Sequence, residues 1–274
     1  MPIDMQNTGA THQIYFDNAA TTPLLPEALD CLTETSRYIY GNSSSAHTVG
    51  KKSRKILEEA KSTFADIFQV PADHIVFTSG GTESNNLAVW GSLGGIANTF
   101  HWLNSPRARE EQLVTTTVEH PATQKLFEQF DLMGANIAWL PVDSQCIVDP
   151  FTVERTLDPS KRVRFFSIHH VQNEIGCVQP VREIVNHIRK NSPEAYVHID
   201  AIQSFAKIPV DLHQMDVDLV RLSAHKIGGP KGIGALILGP RFSDRKPKLG
   251  TVLTGSGQQN GLRPGTVPTP LIAS

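Results

Sequence analysis

The feature that most constrains this chain is a regular alternation between short apolar runs and longer amphipathic stretches. The apolar runs are rich in β-branched residues, and they predict seven strands near 74–78, 113–118, 136–140, 163–168, 196–199, 218–222 and 233–238. Helices are predicted between them, near 49–69, 82–92, 122–133 and 180–190. Strands separated by helices form βαβ units, so the pattern predicts an α/β fold with a mostly parallel sheet. Sheets of this kind bind ligands beyond the carboxyl ends of their strands.

Two stretches interrupt the alternation. Residues 93–112, "LGGIANTFHWLNSPRAREEQ", are predicted to form a loop insertion. The stretch "TGSGQQNGLRPGTVPTPLIAS" (254–274) is rich in Gly, Pro and Thr and contains no convincing strand. The chain stops where a new apolar segment begins, which is abrupt for a complete fold.

Charge and cysteine content argue against several classes of protein. The 274-residue chain has 25 Lys and Arg against 27 Asp and Glu, a net charge of −2, so nothing indicates a nucleic-acid partner. Cys31, Cys146 and Cys177 form no C-x-x-C motif, so we expect no disulfide framework, no metal site and a reducing compartment, the cytoplasm. No apolar run approaches ~18 residues, which argues against a membrane span. Residues 1–13 lack the pattern of a signal peptide.

One lysine lies in an unusual setting, within "RLSAHKIGGPKGIGAL" (221–236). Most lysines are solvated surface charges, but Lys226 lies between apolar runs and precedes a turn rich in glycine. Glycines bring the backbone close and leave little side-chain cover. A desolvated lysine has a lowered pKa and becomes a usable amine nucleophile. Ser223 and His225, just before it, can donate hydrogen bonds to a phosphate.

Three further motifs lie at predicted strand ends. The stretch "FTSGGTESNN" (77–86) is either an ordinary strand–helix turn or a phosphate site made of backbone N–H groups. Asp200, with Gln203 three residues later, is either a helix cap or a carboxylate that holds a cationic heteroatom. His120 is either a structural histidine or part of the crevice where strand ends converge.

These parts together can hold an aldehyde cofactor that carries a phosphate and a pyridine nitrogen. That description matches pyridoxal 5′-phosphate. In this interpretation Lys226 forms the Schiff base with the aldehyde. Asp200 keeps the ring nitrogen protonated, which makes the ring an electron sink.

The order and wording of eight segments resemble the cysteine desulfurases, within the class V aminotransferase family of fold-type I pyridoxal-phosphate enzymes. The segments are 14–29, 41–61, 77–89, 116–122, 169–181, 197–212, 222–236 and 255–266. The resemblance implies a three-layer large domain with a seven-stranded, mostly parallel sheet. It divides the chain into an N-terminal arm (1–20), a large cofactor-binding domain (21–250) and the start of a truncated C-terminal small domain (251–274).

The resemblance also implies roles for residues around the cofactor ring. Lys226 would form the Schiff base and, once freed, act as a base at the substrate Cα. His120 would stack on the pyridine ring and take part in proton transfer, and Asp200 would pair with the ring nitrogen. Gln203 would donate a hydrogen bond to the ring hydroxyl, and Asn173 would lie near that hydroxyl and the substrate.

A second set of residues is implied at the phosphate. Gly81, Thr82, Ser223 and His225 would bind it within one chain. Thr266 matches a residue that, in this family, reaches the phosphate of the partner subunit, so the resemblance implies a homodimer.

The implied activity is removal of sulfur from L-cysteine, which leaves alanine and an enzyme persulfide. The sulfur would serve iron–sulfur cluster or thio-cofactor synthesis through an acceptor protein that this sequence does not identify. The nucleophilic cysteine and the substrate-carboxylate arginine of the family lie beyond the "RPGT" segment (263–266), and Cys31, Cys146 and Cys177 do not match that cysteine. We therefore expect a fragment or a truncated product that binds cofactor without turnover.

Some details depart from the family pattern, and other functions remain open. Gln172 and Ser43 replace residues more usual in the family, and "GSGQQN" (255–260) departs from a "GGGQE"-like stretch. The alternatives are a selenocysteine lyase, another class V aminotransferase, and a catalytically inactive cofactor-binding module.

Overall fold

The structure is a computed structural model that describes residues 14–245 and 249–274. Most of the predicted N-terminal arm, and with it the stretch compared with signal peptides, lies in 1–13, outside the described residues. Seven strands form one sheet: β1 (Ile75–Thr78), β2 (Glu111–Thr116), β3 (Ile137–Leu140), β4 (Arg162–His169), β5 (Tyr196–Asp200), β6 (Leu219–Ser223) and β7 (Gly234–Leu238). All seven predicted strands are confirmed.

The sheet is parallel except at one strand. Its order is β1-β7-β6-β5-β4-β2-β3, and β7 runs antiparallel to both β6 and β1. The other pairs are parallel, with Asp200 of β5 opposite His169 of β4 and Arg221 of β6. Nearly every residue of β2, β5, β6 and β7 is buried. This burial explains why β6 and β7 are mostly apolar along their length rather than alternating.

Eleven helices lie within the described residues: α1 (Pro26–Tyr38), α2 (Thr48–Phe68), α3 (Gly81–Ser92), α4 (Ile96–Leu103), α5 (Pro106–Glu110), α6 (Pro121–Leu132), α7 (Pro150–Thr156), α8 (Val181–Asn191), α9 (Leu212–Met215), α10 (Pro240–Arg245) and α11 (Thr269–Ala273). The four predicted helices correspond to α2, α3, α6 and α8. In the described part of the chain, no helix is both long and apolar enough to cross a bilayer.

The helices cover both faces of the sheet and give three layers. On one face, Phe68 of α2 and Ile184 of α8 pack against β5 within a single apolar cluster. On the other face, Trp90 of α3 and Phe127 of α6 pack with Phe165 of β4. The three-layer α/β prediction is therefore confirmed.

The prediction of a loop over 93–112 is wrong. This segment forms α4 and α5 and leads directly into β2. The glycines at its start indicate a loop, but tertiary packing stabilises helices in the residues after them. Trp102 of α4 is buried, and its indole N–H donates to the Glu111 carboxylate at 2.7 Å. The Arg164 guanidinium lies 5.4 Å from the centre of the Trp102 ring.

The C-terminal stretch crosses the free edge of the sheet. Among the described strands β1 pairs only with β7, and Gln259 lies along its open side. The Phe77 N–H donates to Gln259 Oε1 at 2.7 Å, and Gln259 Nε2 donates to the Phe77 carbonyl at 2.8 Å. The side-chain amide thus satisfies both backbone groups of Phe77, as a neighbouring strand would.

Candidate active site

A cavity of about 680 Å³ opens where β5 and β6 end and where the chain leaves β2. It contains nine of the ten predicted site residues: Gly81, Thr82, His120, Asn173, Asp200, Gln203, Ser223, His225 and Lys226. The structure also adds lining residues that the sequence did not single out: Asp17, Ala19, Ala20, Ala122, Glu174, Ile202 and Arg221. The tenth predicted residue, Thr266, is exposed and lies outside this lining.

Lys226 ends a single 3-10 turn that comes directly after β6. Its Nζ donates to the carbonyl of Ala20 at 2.6 Å and also to the carbonyl of Ala19. Burial and the nearby Lys207 ammonium lower the pKa of Lys226, against the opposing effect of the Asp17 and Asp200 carboxylates. The amine therefore faces the cavity with a pKa shifted in the direction that nucleophilic chemistry requires.

The segment before α1 holds the lysine turn in place. The Thr22 N–H donates to the His225 carbonyl at 2.9 Å, and the Leu25 N–H donates to the Gly228 carbonyl at 2.9 Å. The Gly228 N–H donates in return to Thr22 Oγ1 at 2.8 Å. The His225 imidazole lies 3.1 Å from the hydroxyl oxygen of Thr21. Residues about two hundred positions apart therefore fix one wall of the cavity together.

Asp200 is buried at the end of β5, and its two carboxylate oxygens have different partners. Oδ1 accepts from the Ile202 N–H at 2.9 Å, and Oδ2 forms an ion pair with Nη2 of Arg221. Burial would raise the pKa of Asp200, but the Arg221 guanidinium outweighs it and holds that pKa below its usual value. Turns rather than a helix come after Asp200, so it is not a helix cap. It is a buried, ionised carboxylate facing the cavity.

Sequence reasoning missed Arg221 because it lies within the apolar run "DLVRL". A signal was nevertheless present. Side chains alternate along a strand, so Arg221 shares a face with Ser223 two residues later. Parallel pairing of β5 with β6 then places it beside Asp200.

The start of α3 provides a setting for an anion. The residue before this helix, Gly80, has φ 148° and ψ −176°, a conformation open almost only to glycine, and no side chain caps the helix. The first N–H groups of α3 therefore have no acceptor inside the helix, and the helix dipole favours negative charge there. A Cβ at Gly81 would overlap Cδ1 of Ile202, so the glycine lets the Ile202 side chain pack against the start of α3.

His120 caps the N-terminus of α6 and points one ring nitrogen at the backbone. Its Nδ1 accepts from the Ala122 N–H at 3.1 Å, so the neutral ring carries its proton on Nε2. Burial and the Arg221 charge lower the pKa of His120, although the Asp200 carboxylate opposes them. The imidazole is therefore neutral near pH 7.

Gln203 has both ends of its amide engaged. Its Nε2 donates to the Ala19 carbonyl at 2.8 Å, and its Oε1 accepts from Lys207 Nζ at 3.0 Å. The three cysteines all lie within the described residues, and none of them lines the cavity.

The cavity fits pyridoxal 5′-phosphate on three separate observations. An uncapped helix N-terminus suits the phosphate, a lysine amine of lowered pKa suits the aldehyde, and a buried carboxylate suits the ring nitrogen. The volume also accommodates a small cofactor together with an amino acid.

Comparison with known proteins gives one consistent result. The family model described as Aminotransferase class-V matches residues 14–259. A mitochondrial cysteine desulfurase of Candida maltosa is 36% identical over 266 residues, covering 96% of this chain and 51% of the relative. Cysteine desulfurase IscS of Dictyoglomus turgidum is 35% identical over 254 residues, covering 93% of this chain and 60% of the relative.

Solved structures agree. A NifS-like protein superimposes with a TM-score of 0.85 at 32% identity, over 95% of this chain and 67% of that chain. A structure described as SspA in complex with cysteine gives a TM-score of 0.84 at 34% identity, over 95% of this chain and 70% of that chain. This chain spans about half the length of the curated relatives it matches first. The chain belongs to the class V aminotransferase family, whose cysteine desulfurase members depend on pyridoxal 5′-phosphate.

Proposed function

We propose that this chain binds pyridoxal 5′-phosphate through Lys226 and serves a cysteine desulfurase that removes sulfur from L-cysteine. One observation carries the proposal. Lys226 and the buried Asp200 carboxylate line the same cavity, next to the uncapped N-terminus of α3. When bound, the cofactor supplies an aldehyde for the substrate amine and a ring that withdraws electrons from Cα.

Each lining residue then has a task that its geometry supports. Lys226 holds the cofactor and afterwards moves a proton at the substrate Cα. His120 presents a neutral imidazole with its proton on Nε2, which suits stacking and proton transfer. Asp200 pairs with the ring nitrogen. Gln203 and Asn173, which line the same cavity, would contact the ring hydroxyl and the substrate.

The phosphate would be held by residues at the α3 end of the cavity. Gly81 and Thr82 offer backbone N–H groups at the start of α3, and Thr82 adds a hydroxyl. Ser223 and His225 close this end from β6 and the turn after it. Thr266 is exposed, which is compatible with the proposed reach into a partner subunit of a homodimer.

The choice of substrate is supported by the relatives. The curated relatives are named cysteine desulfurases, and one solved relative is described as a complex with cysteine. None of Cys31, Cys146 and Cys177 lines the cavity, so this chain presents no thiol there for attack on the substrate sulfur. We therefore expect the 274-residue chain to bind cofactor and cysteine without sustained release of sulfide.

The division into an arm, a large domain (21–250) and the start of a small domain (251–274) remains part of this proposal. We also propose that the protein is cytoplasmic, that its sulfur serves iron–sulfur cluster or thio-cofactor synthesis, and that a sulfur-acceptor protein receives it. The relatives include mitochondrial proteins.

Borohydride reduction tests the cofactor link directly. Loaded protein is reduced, digested and analysed by mass spectrometry, and we expect the cofactor mass on the peptide that contains Lys226. Lys226→Ala should lose the adduct, whereas the control Lys207→Ala should keep it because Lys207 does not line the cavity. A covalent adduct that persists in Lys226→Ala would contradict the proposal.

Product analysis separates the alternatives. A desulfurase that has its nucleophilic cysteine thiol yields alanine and persulfide sulfur from cysteine. A selenocysteine lyase yields alanine and selenium from selenocysteine but leaves cysteine unchanged. An aminotransferase yields a 2-oxo acid, and an inactive module yields none of these.

A further inference from the structure

A buried arginine lies at the base of the cavity. Arg221 is in the centre of β6 and only 1% exposed, so its guanidinium is removed from solvent. Its Nη2 pairs with Asp200, but Nε and Nη1 contact no acceptor in the described part of the chain. An incompletely paired buried charge is costly, and apolar residues can often replace a buried ion pair without loss of stability. Stability therefore gives no reason for a guanidinium at this position.

A second arginine, Arg189, has a side chain that is only 10% exposed and shows the contacts expected of a structural role. Arg189 donates from all three of its nitrogens, to the Asp216 and Asp218 carboxylates and to backbone carbonyls that include that of Ala195. It does not line the cavity. Arg221, by contrast, lines the cavity, and within the described residues its side chain donates a hydrogen bond to Asp200 alone.

Several titratable groups face Asp200 from the surrounding elements. Burial lowers the pKa of His120 and brings that of His198 to about 3, so both rings are neutral near pH 7. Lys226 interacts with the Asp200 charge from the turn after β6, but the proposed cofactor link engages its amine. Arg221 therefore remains as a cation whose charge is fixed at every working pH.

The remaining neighbour is His169 on β4, directly opposite Asp200 in the sheet. Burial lowers its pKa, but the Glu119 carboxylate, 3.2 Å from its Nδ1, outweighs burial and raises it. Any charge on His169 is thus balanced locally by Glu119. The charge balance at Asp200 is set mainly by Arg221.

We propose that Arg221 is a positioning residue that fixes Asp200 as a carboxylate facing the cavity and weakens its hold on the proton of the cofactor ring nitrogen. The inference rests on the proposed binding of pyridoxal 5′-phosphate. Because the guanidinium already engages Oδ2, the carboxylate divides its charge between two cations rather than giving it to the ring alone. The low pKa of Asp200 without cofactor agrees with this arrangement. Arg221 thereby limits how strongly the ring withdraws electrons.

The first experiment uses cofactor-free protein with ¹³C-labelled aspartate, in which the Asp200 signal is assigned by its absence from Asp200→Asn. Arg221→Met removes the largest effect that opposes burial, so we expect the pKa of Asp200 to rise by about 1–3 units. Arg221→Lys retains the charge and should stay close to the wild type. Arg189→Met, the matched control, should lower stability without moving the Asp200 signal. An unchanged Asp200 titration in Arg221→Met would overturn the proposal.

The second experiment loads each variant with ring-¹⁵N-labelled cofactor and tracks the nitrogen resonance against pH. We expect Arg221→Met to raise the pH at which the ring nitrogen loses its proton by about one unit or more. A ring titration identical to that of the wild type would overturn the proposal. Arg221→Gln serves as a second neutral variant if Arg221→Met does not fold.

The two proposals fail in different ways. If wild-type protein binds no cofactor, the proposed function fails, yet the aspartate titration still tests the hold of Arg221 on Asp200. If cofactor binds covalently to Lys226 and the ring resonance ignores Arg221, only the present inference fails.

Discussion

The side-chain amide that closes the edge of the sheet allows a sharp prediction. Gln259 makes two hydrogen bonds with the backbone of Phe77, at 2.7 and 2.8 Å, and both residues are buried. Gln259→Ala would leave a buried N–H and a buried C=O without partners. Each unsatisfied group costs about 1–3 kcal/mol, so the two together predict a loss of about 2–6 kcal/mol in the free energy of unfolding.

Urea unfolding of cofactor-free protein, monitored by tryptophan fluorescence, measures this loss. The matched control is Gln258→Ala, because Gln258 makes its two hydrogen bonds, from Ser256 and Gly265, near the surface. The control should change stability by less than about 1 kcal/mol. Equal losses in the two variants would show that the edge contact does not stabilise the sheet.

Gln259→Glu probes the same contact by charge. A carboxylate can still accept from the Phe77 N–H, but its other oxygen would face the Phe77 carbonyl, whereas the protonated acid could donate to it. The folded-state pKa of this glutamate would therefore exceed its unfolded value, and its deficit relative to wild type should shrink as pH falls through that raised pKa toward the unfolded value. A deficit that is independent of pH would refute this reasoning.

Further expectations concern the site and the buried core. Asp200→Ala leaves the Arg221 charge unpaired and should lower the free energy of unfolding by about 3–5 kcal/mol. Adding Arg221→Met should restore the stability measured by urea unfolding, but not the cofactor binding measured by absorbance. Gly80→Ala forces a side chain into the conformation at φ 148° and should cost about 1–3 kcal/mol while weakening cofactor affinity. Burial depresses the folded pKa of His198 to about 3, so its contribution to stability is complete above pH 6.5 and falls by about 1.4 kcal/mol per unit on acidification. His198→Asn should flatten this part of the pH dependence, and an unchanged slope would contradict the assignment.

The sheet could be predicted from the sequence because its strands are buried on both faces. Such strands are rich in apolar residues, and the residues just beyond them converge on one crevice. The same rule predicts that His120, Asp200 and Lys226 lie together. The prediction of a loop over 93–112 relied on its glycines and failed, because burial of Trp102 stabilises a helix that begins after two of them.

Other features depend on contacts that local patterns do not encode. Arg221 was hidden by the apolar residues around it, and only the register of two strands reveals its partner. The pairing of the segment around Thr22 with the turn at Gly228 joins positions far apart in sequence. Periodicity describes neighbours along an element, so it carries no information about such pairs.

That long-range pairing has a consequence for biogenesis. Thr22 and Leu25 leave the ribosome early, but their acceptors, the carbonyls of His225 and Gly228, are made roughly two hundred residues later. During synthesis the early segment has no native partner, and loop-closure entropy delays the contact further. The cavity around Lys226 should therefore be among the last parts of the molecule to fold. A nascent chain should bind pyridoxal 5′-phosphate only after β6 and β7 have been translated.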